Sequence, residues 1–170
     1  MVALTDAEKK KLKYAYTAKQ IPLRYVNETL EATTMAKTQM KILDEKLYRA
    51  PSSGVLLITG TAGPIVNHLW QQGRKVVGMS FVEYFDGRFS DEKLVPLKAD
   101  VVVLHGVGSE ADGKKEFSST LLTGIMDIYK NRETLLIIET HMTPTTFAVT
   151  YGRTITNAKT VTLHEEEKWI

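Results

Sequence analysis

From residue 55 onward, short β-branched and aliphatic runs alternate with segments whose apolar positions recur at helical spacing, the pattern of βα units built round a parallel sheet. Strands are predicted at 55–59, 75–80, 100–104, 134–140 and 159–164. Helices are predicted at 66–72, about 81–85, 114–130 and in a short stretch opened by Thr143-Pro144, where proline suits a first helical turn. Runs without polar interruption, such as Val101-Val102-Val103-Leu104, imply strands buried on both faces and helices covering both sides of the sheet. The N-terminal third reads differently. A helix should open at Thr5, whose hydroxyl can cap while Glu8 reaches back, and stop before Ile21-Pro22, because a residue preceding proline is pushed out of the helical region. A second helix is expected after Asn27, with Ala36, Met40, Leu43 and Leu47 on one face, ending near Pro51-Ser52-Ser53-Gly54.

Composition narrows the class. The 170 residues suffice for one ordinary domain, and 43% hydrophobic with 25% charged residues is the balance of a chain with a packed core. Apolar runs are far too short to cross a bilayer, the lysine-rich N-terminus lacks a signal-peptide stretch, and no cysteine is present for disulfides, zinc or thiol chemistry. A cytoplasmic location, with no membrane partner and no metal site, is expected. Charge is uneven: residues 1–50 carry ten Lys/Arg against six Asp/Glu, in a chain whose totals are 22 and 20. Lys9, Lys10, Lys11 and Lys13 crowd the first helix, while Leu12, Ala15 and Tyr16 form a small apolar stripe. Residues 1–20 are therefore read as a basic helical arm and residues 21–170 as the α/β domain. Lys9, Lys10, Lys11, Leu12, Lys13 and Tyr16 are the expected partner-binding face, suited to a groove on an acidic protein or to nucleic-acid phosphates.

Open α/β sheets carry their functional crevice at the carboxyl ends of the strands, which directs attention to residues 60–68, 105–108 and 139–143. The segment from Gly60-Thr61-Ala62-Gly63-Pro64 to Leu69 follows a predicted strand and enters a helix, the setting of a phosphate-binding loop. A working loop reads G-x-x-x-x-G-K-[ST]: glycines let backbone amides approach phosphate, lysine neutralises it and the hydroxyl holds magnesium. Here Ile65 stands at the second glycine, Val66 at the lysine and Asn67 at the hydroxyl residue. The strand that should end in acidic residues for magnesium and water runs instead into His105-Gly106.

In spite of these losses the order of segments resembles the bacterial helicase loaders of the DnaC/DnaI type, AAA+ proteins, and the small phage replication proteins that do the same job. Ile21-Pro22-Leu23-Arg24-Tyr25 is similar to the I-P-x-R-Y segment that introduces their ATPase core. Gly60, Gly63, Asn67, His68 and Leu69 match their G-x-x-G-x-G-K-[TN]-H-L loop. The run Val102-Val103-Leu104-His105-Gly106-Val107-Gly108 keeps only the flanks of their D-E-I-G strand end. His141 stands at the sensor position, where asparagine is usual, and Tyr151-Gly152-Arg153-Thr154-Ile155 lies near the arginine-finger segment with Arg153 one residue off.

The resemblance spans about residues 21–165 and implies a P-loop NTPase, AAA+-like parallel-sheet core with helices on both faces, preceded by N-terminal helices. It implies a loader or adaptor of a DnaB-type hexameric helicase in replication initiation, for a phage or other mobile element. With lysine, acids and finger eroded, it further implies a pseudo-ATPase that needs no nucleotide cofactor. Single-stranded DNA and self-association are further partner readings. Two alternatives stand beside it: an inhibitor of the host helicase or its loader on the same scaffold, and an active nucleotide-binding ATPase. Other constellations carry less. His68, His105 and His141 fall near one sheet edge without metal-ligand spacing. Trp70, Phe81, Tyr84, Phe85 and Phe89 fit a hydrophobic core better than a base-stacking surface, and Asp86/Asp91 is an acid pair with no pocket in the sequence.

Overall fold

All five predicted strands form in a computed structural model of the chain, which describes residues 4–28, 33–34, 37–38, 41, 54–85, 99–109, 115–130, 134–151 and 159–165. They are β2 (Gly54–Gly60), β3 (Val76–Ser80), β4 (Val101–Val107), β5 (Leu135–Thr140) and β6 (Lys159–Glu165), and a two-residue strand, β1 (Thr33–Thr34), precedes them. The sheet order is β1-β6-β2-β5-β4-β3. β1 runs antiparallel to β6, and every other neighbouring pair is parallel. Because successive side chains alternate between faces, Leu56, Ile58, Val101, Val103, Leu135 and Ile137 join one buried cluster, while Val55, Leu57, Val102, Leu104, Leu136 and Ile138 join another.

Helices cover both faces, as the uninterrupted apolar strands require. On the first lie α1 (Asp6–Ala18), a 3₁₀ turn at Leu23–Asn27 and α2 (Gly63–Gln71), through Leu12, Tyr16, Tyr25, Val26, Ile65 and Leu69. α4 (Lys115–Lys130) and α5 (Pro144–Tyr151) cover the second through Leu122, Ile125, Met126, Tyr129, Phe147 and Tyr151. A short α3 (Phe81–Phe85) follows β3 and buries Phe81. The capping box at Thr5 and Glu8 forms as the spacing predicts.

Two expectations are corrected. The arm is not a unit apart: Leu4, Leu12 and Tyr16 share the core cluster of the sheet, and Gly78 N–H of β3 donates to Lys19 O at 2.9 Å. Leu12 and Tyr16 are therefore no partner-binding stripe, because the sheet's first face needs a cover and α1 supplies it. The chain after Asn27 does not pass straight into a helix, since Thr33–Thr34 pairs with His164 and Glu165. Lys37, Thr38 and Lys41 are helical, whereas Ala36, Met40, Leu43 and Leu47 lie outside the described residues.

Candidate functional site

The carboxyl ends of β2 and β5, hydrogen-bonded neighbours, bring the loop after β2 against the last residues of β5. Gly60 turns the chain out of β2 with a positive φ of 121°, a conformation open to glycine at little cost. Gly63 begins α2, and a Cβ there would collide with the Glu28 carboxylate, so the second retained glycine makes room for an acidic side chain of the chain itself. Ile65 and Val66 are fully buried. They point into the core on the first face, each burial contributing about 1.5–3 kcal/mol.

The loop's polar groups are satisfied internally. Glu139, near the end of β5 and 1% exposed, accepts a hydrogen bond from Ala62 N–H at 2.8 Å. Its carboxylate also accepts from Arg24 Nη2 at 2.7 Å and from the Tyr25 hydroxyl. Glu28, also buried, accepts from Arg24 Nη1 at 3.1 Å and from the Thr61 hydroxyl. Thr61 Oγ1 in turn accepts from Arg24 Nη1 at 3.1 Å and Gly63 N–H at 3.3 Å. A backbone amide, a guanidinium and a hydroxyl thus converge on one anionic group at the start of a helix, the donor set that suits phosphate. Here the anion is a carboxylate in the same chain.

Arg24 is held above its ordinary pKa: burial works against the charge, and Glu139, Tyr25 and Glu28 outweigh it. Burial first, and Glu139 next, push the Tyr25 hydroxyl well up, so it stays a donor. The buried Asn67 side chain is equally committed. Its Oδ1 accepts from the Tyr16 hydroxyl, and its Nδ2 donates to Tyr25 O at 2.5 Å and Glu28 O at 2.7 Å. Asn67 thus ties α1 and the 3₁₀ turn to α2.

A cleft of about 620 Å³ opens beside this network, lined among others by Arg24, Glu83, His105, Gly106, Glu139 and His141. His105 Nε2 lies 3.2 Å from Gln20 O, and burial lowers its pKa, with the Gln20 bond and Glu139 opposing. The pairing of β4 with β5 shifts register between Leu104 and Val107, so that His105 and Gly106 fall within the irregularity. The structure therefore brings His105, Gly106 and His141 to one cleft beside the loop, while His68 faces elsewhere on α2. Among the described residues no three His, Asp or Glu groups gather as metal ligands. Lys10, Lys11 and Lys13 are exposed on α1 and Lys9 half-buried. Phe81 belongs to the core cluster on the second face and Trp70 packs partly against the cluster on the first, while Arg153, Phe89, Asp86 and Asp91 and the side chains of Tyr84 and Phe85 lie outside the described residues.

Sequence reasoning placed residues 139–143 at the crevice but missed the roles of Glu139, Glu28 and Arg24. The signal for Glu139 was legible: an acid directly after the apolar run Leu135–Ile138, in the same strand, must find a partner when buried.

No family model matches the chain, and no curated protein matches it. Solved structures do. Domain III of the replication initiation protein DnaA from Thermotoga maritima aligns with 80% of this chain and 66% of its own, just under two thirds, at 14% identity and a TM-score of 0.56. A protein described as a primosome component from Streptococcus pyogenes serotype M3 aligns over 87% of this chain and 92% of its own, at 14% identity and a TM-score of 0.53. The DnaC helicase loader aligns over 84% and 99%, at 13% identity and a TM-score of 0.50. At 13–14% identity these likenesses show a shared α/β fold.

Proposed function

We propose that this chain is an adaptor for a DnaB-type replicative helicase that keeps the fold of an AAA+ loader and has given up its nucleotide cycle. One observation carries the reading: Glu139 sits on the Ala62 amide of the phosphate loop, with Arg24 and Tyr25 closed over it. The Arg-Tyr pair belongs to the segment similar to I-P-x-R-Y, so the part of the sequence that most resembles the loaders supplies the closure. The fold shared with the DnaC helicase loader and with the primosome component supports the helicase as partner.

An ATP-driven loader passes between states set by its γ-phosphate. A loop whose anion is covalently part of the chain stays in one state, so helicase binding here should be independent of nucleotide. The test is a pull-down of purified DnaB-type helicase from the host, with and without Mg-ATP, followed by strand unwinding. Equal capture in both conditions with stimulated unwinding is the expected result. Capture that requires ATP overturns nucleotide independence, and captured helicase that unwinds more slowly identifies an inhibitor on this scaffold.

A further inference from the structure

β3 is the outermost strand at one edge of the sheet, and its own sequence does nothing to guard that edge. Sheet edges are ordinarily blunted by charge, proline, a bulge or shortness. Val76-Val77-Gly78-Met79-Ser80 has neither charge nor proline and pairs with β4 in unbroken register. The opposite edge is managed by length, since β1 has only two residues. At β3 the cover is a strap, residues 19–22, which joins α1 to the 3₁₀ turn. Gly78 N–H donates to Lys19 O at 2.9 Å, so the strap takes a hydrogen bond that a further strand would take. His105 Nε2 reaches Gln20 O at 3.2 Å, and Ile21 is buried in the core while its N–H donates to Tyr16 O at 2.9 Å.

Two features mark the strap as strained and closely fitted. Gln20 has a φ of 59°, the one positive φ at a non-glycine position among the described residues, in the left-handed region that disfavours a side chain. A Cβ on Gly78 would stand 2.3 Å from Gln20 O and 3.0 Å from Ile21 Cα, so only glycine there lets the strap lie on the strand. We infer that residues 19–22 are an autoinhibitory strap: they occupy the addition edge of β3, and when they lift, β3 pairs edge to edge with β3 of a second copy. The strand suits its own copy as occupant, because an uncharged edge meeting itself about a two-fold axis sets no like charges opposite one another. Gln20, Ile21 and Pro22 also line the cleft of about 620 Å³, so lifting the strap reshapes that cleft. The strap uses no residue of the nucleotide loop and stands whether or not a helicase is the partner.

The test reads the strap and the edge separately in the full chain. Amide hydrogen exchange followed by NMR reads the strap, with Val102 in the sheet interior as the reference for whole-molecule unfolding. The Gly78 amide should exchange faster than that of Val102 and respond little to dilute urea, because lifting the strap exposes little surface. Gln20→Gly removes the left-handed penalty and should slow Gly78 exchange severalfold, whereas Gln20→Val deepens it and should speed exchange about fivefold or more. Sedimentation equilibrium reads the edge. Gly78→Ala, which has no room beneath the strap, and Gln20→Val should both associate toward a dimer more strongly than the parent. Adding Val77→Lys, at a half-buried position on β3, to either variant charges the uncovered edge and should return association to the parent level. Gln20 is exposed, so Gln20→Val carries the test where Gly78→Ala does not fold. Gly78 exchange that tracks Val102 at every urea concentration, or that ignores residue 20, overturns the strap. Association unchanged in the folded variants, or undiminished by Val77→Lys, overturns the edge pairing and with it the proposal.

Discussion

At the scale of single residues, Glu139 is the chemical centre of the molecule. Removing its carboxylate in Glu139→Ala leaves the Ala62 amide and the Tyr25 hydroxyl buried without an acceptor and deprives Arg24 of an ion pair. Hydrogen bonds to charged groups are worth about 1.5–3 kcal/mol each, and the half-exposed guanidinium recovers part of its loss from water, so a net destabilisation of about 2–4 kcal/mol is expected in urea unfolding. The vacated donors form an anion site. Millimolar inorganic phosphate should therefore raise the melting temperature of Glu139→Ala more than that of the parent, and equal shifts would show that no anion site was uncovered. His105 sets a pH dependence of known sign. Burial lowers its folded pKa below the ordinary value near 6.5, so the folded state binds fewer protons than the unfolded one across that interval. The associated stability is present above about pH 6.5 and is lost as pH falls through the folded value. His68 shifts the same way, also through burial. The decline in unfolding free energy between pH 7 and pH 5 should thus become shallower, not vanish, in His105→Gln.

At the scale of elements, the strands and the glycine loop were legible because each carries its own local signal. Val101–Leu104 needs two covered faces whatever its neighbours, and the capping box lies within four residues. The element beyond Asn27 was not legible in the same way, because Thr33–Thr34 becomes a strand only through its partner β6, more than a hundred residues away. The assignment of α1 failed for the opposite reason: a helix with a short apolar stripe reads alike whether the stripe meets its own sheet or another protein. Arg24, Glu28 and Glu139 escaped notice because a charge in the sequence does not reveal which distant charge it meets. The placement of α1 changes what an experiment on it can mean. Deleting residues 1–19 strips Leu12 and Tyr16 from the core and should unfold the chain, so loss of a partner in that variant would carry no information about the interface. Tyr16→Phe isolates the link to α2. It leaves Asn67 Oδ1 buried without its donor, and a loss of about 1–2 kcal/mol with retained secondary structure is expected by circular dichroism and denaturant titration.

At the scale of the whole molecule, the question is whether the chain binds Mg-ATP at the loop after β2. Under the function proposed above, three features oppose it: the buried, uncharged Val66, Glu139 already on the loop amide, and His105-Gly106 rather than acidic residues at the end of β4. A ligand that binds only the folded state must stabilise it, by about 2.7 kcal/mol at one hundred times its dissociation constant. In a chain of this size that corresponds to a rise of roughly 5–10 °C. The expected shift with 10 mM Mg-ATP is none, and a rise of several degrees would sink the reading. Restoring the lysine is the complementary experiment. Val66 is fully buried in the cluster that includes Tyr16, Tyr25 and Leu69, so Val66→Lys forces an ammonium into an apolar interior or drives α2 off the sheet. Destabilisation by about 3 kcal/mol or more, with no ATP hydrolysis gained, is the outcome predicted. A Val66→Lys protein that keeps its stability and turns over ATP would show instead that the loop can open, that Glu139 yields to a phosphate, and that the closure by Arg24 and Tyr25 is a resting state of a working nucleotide site.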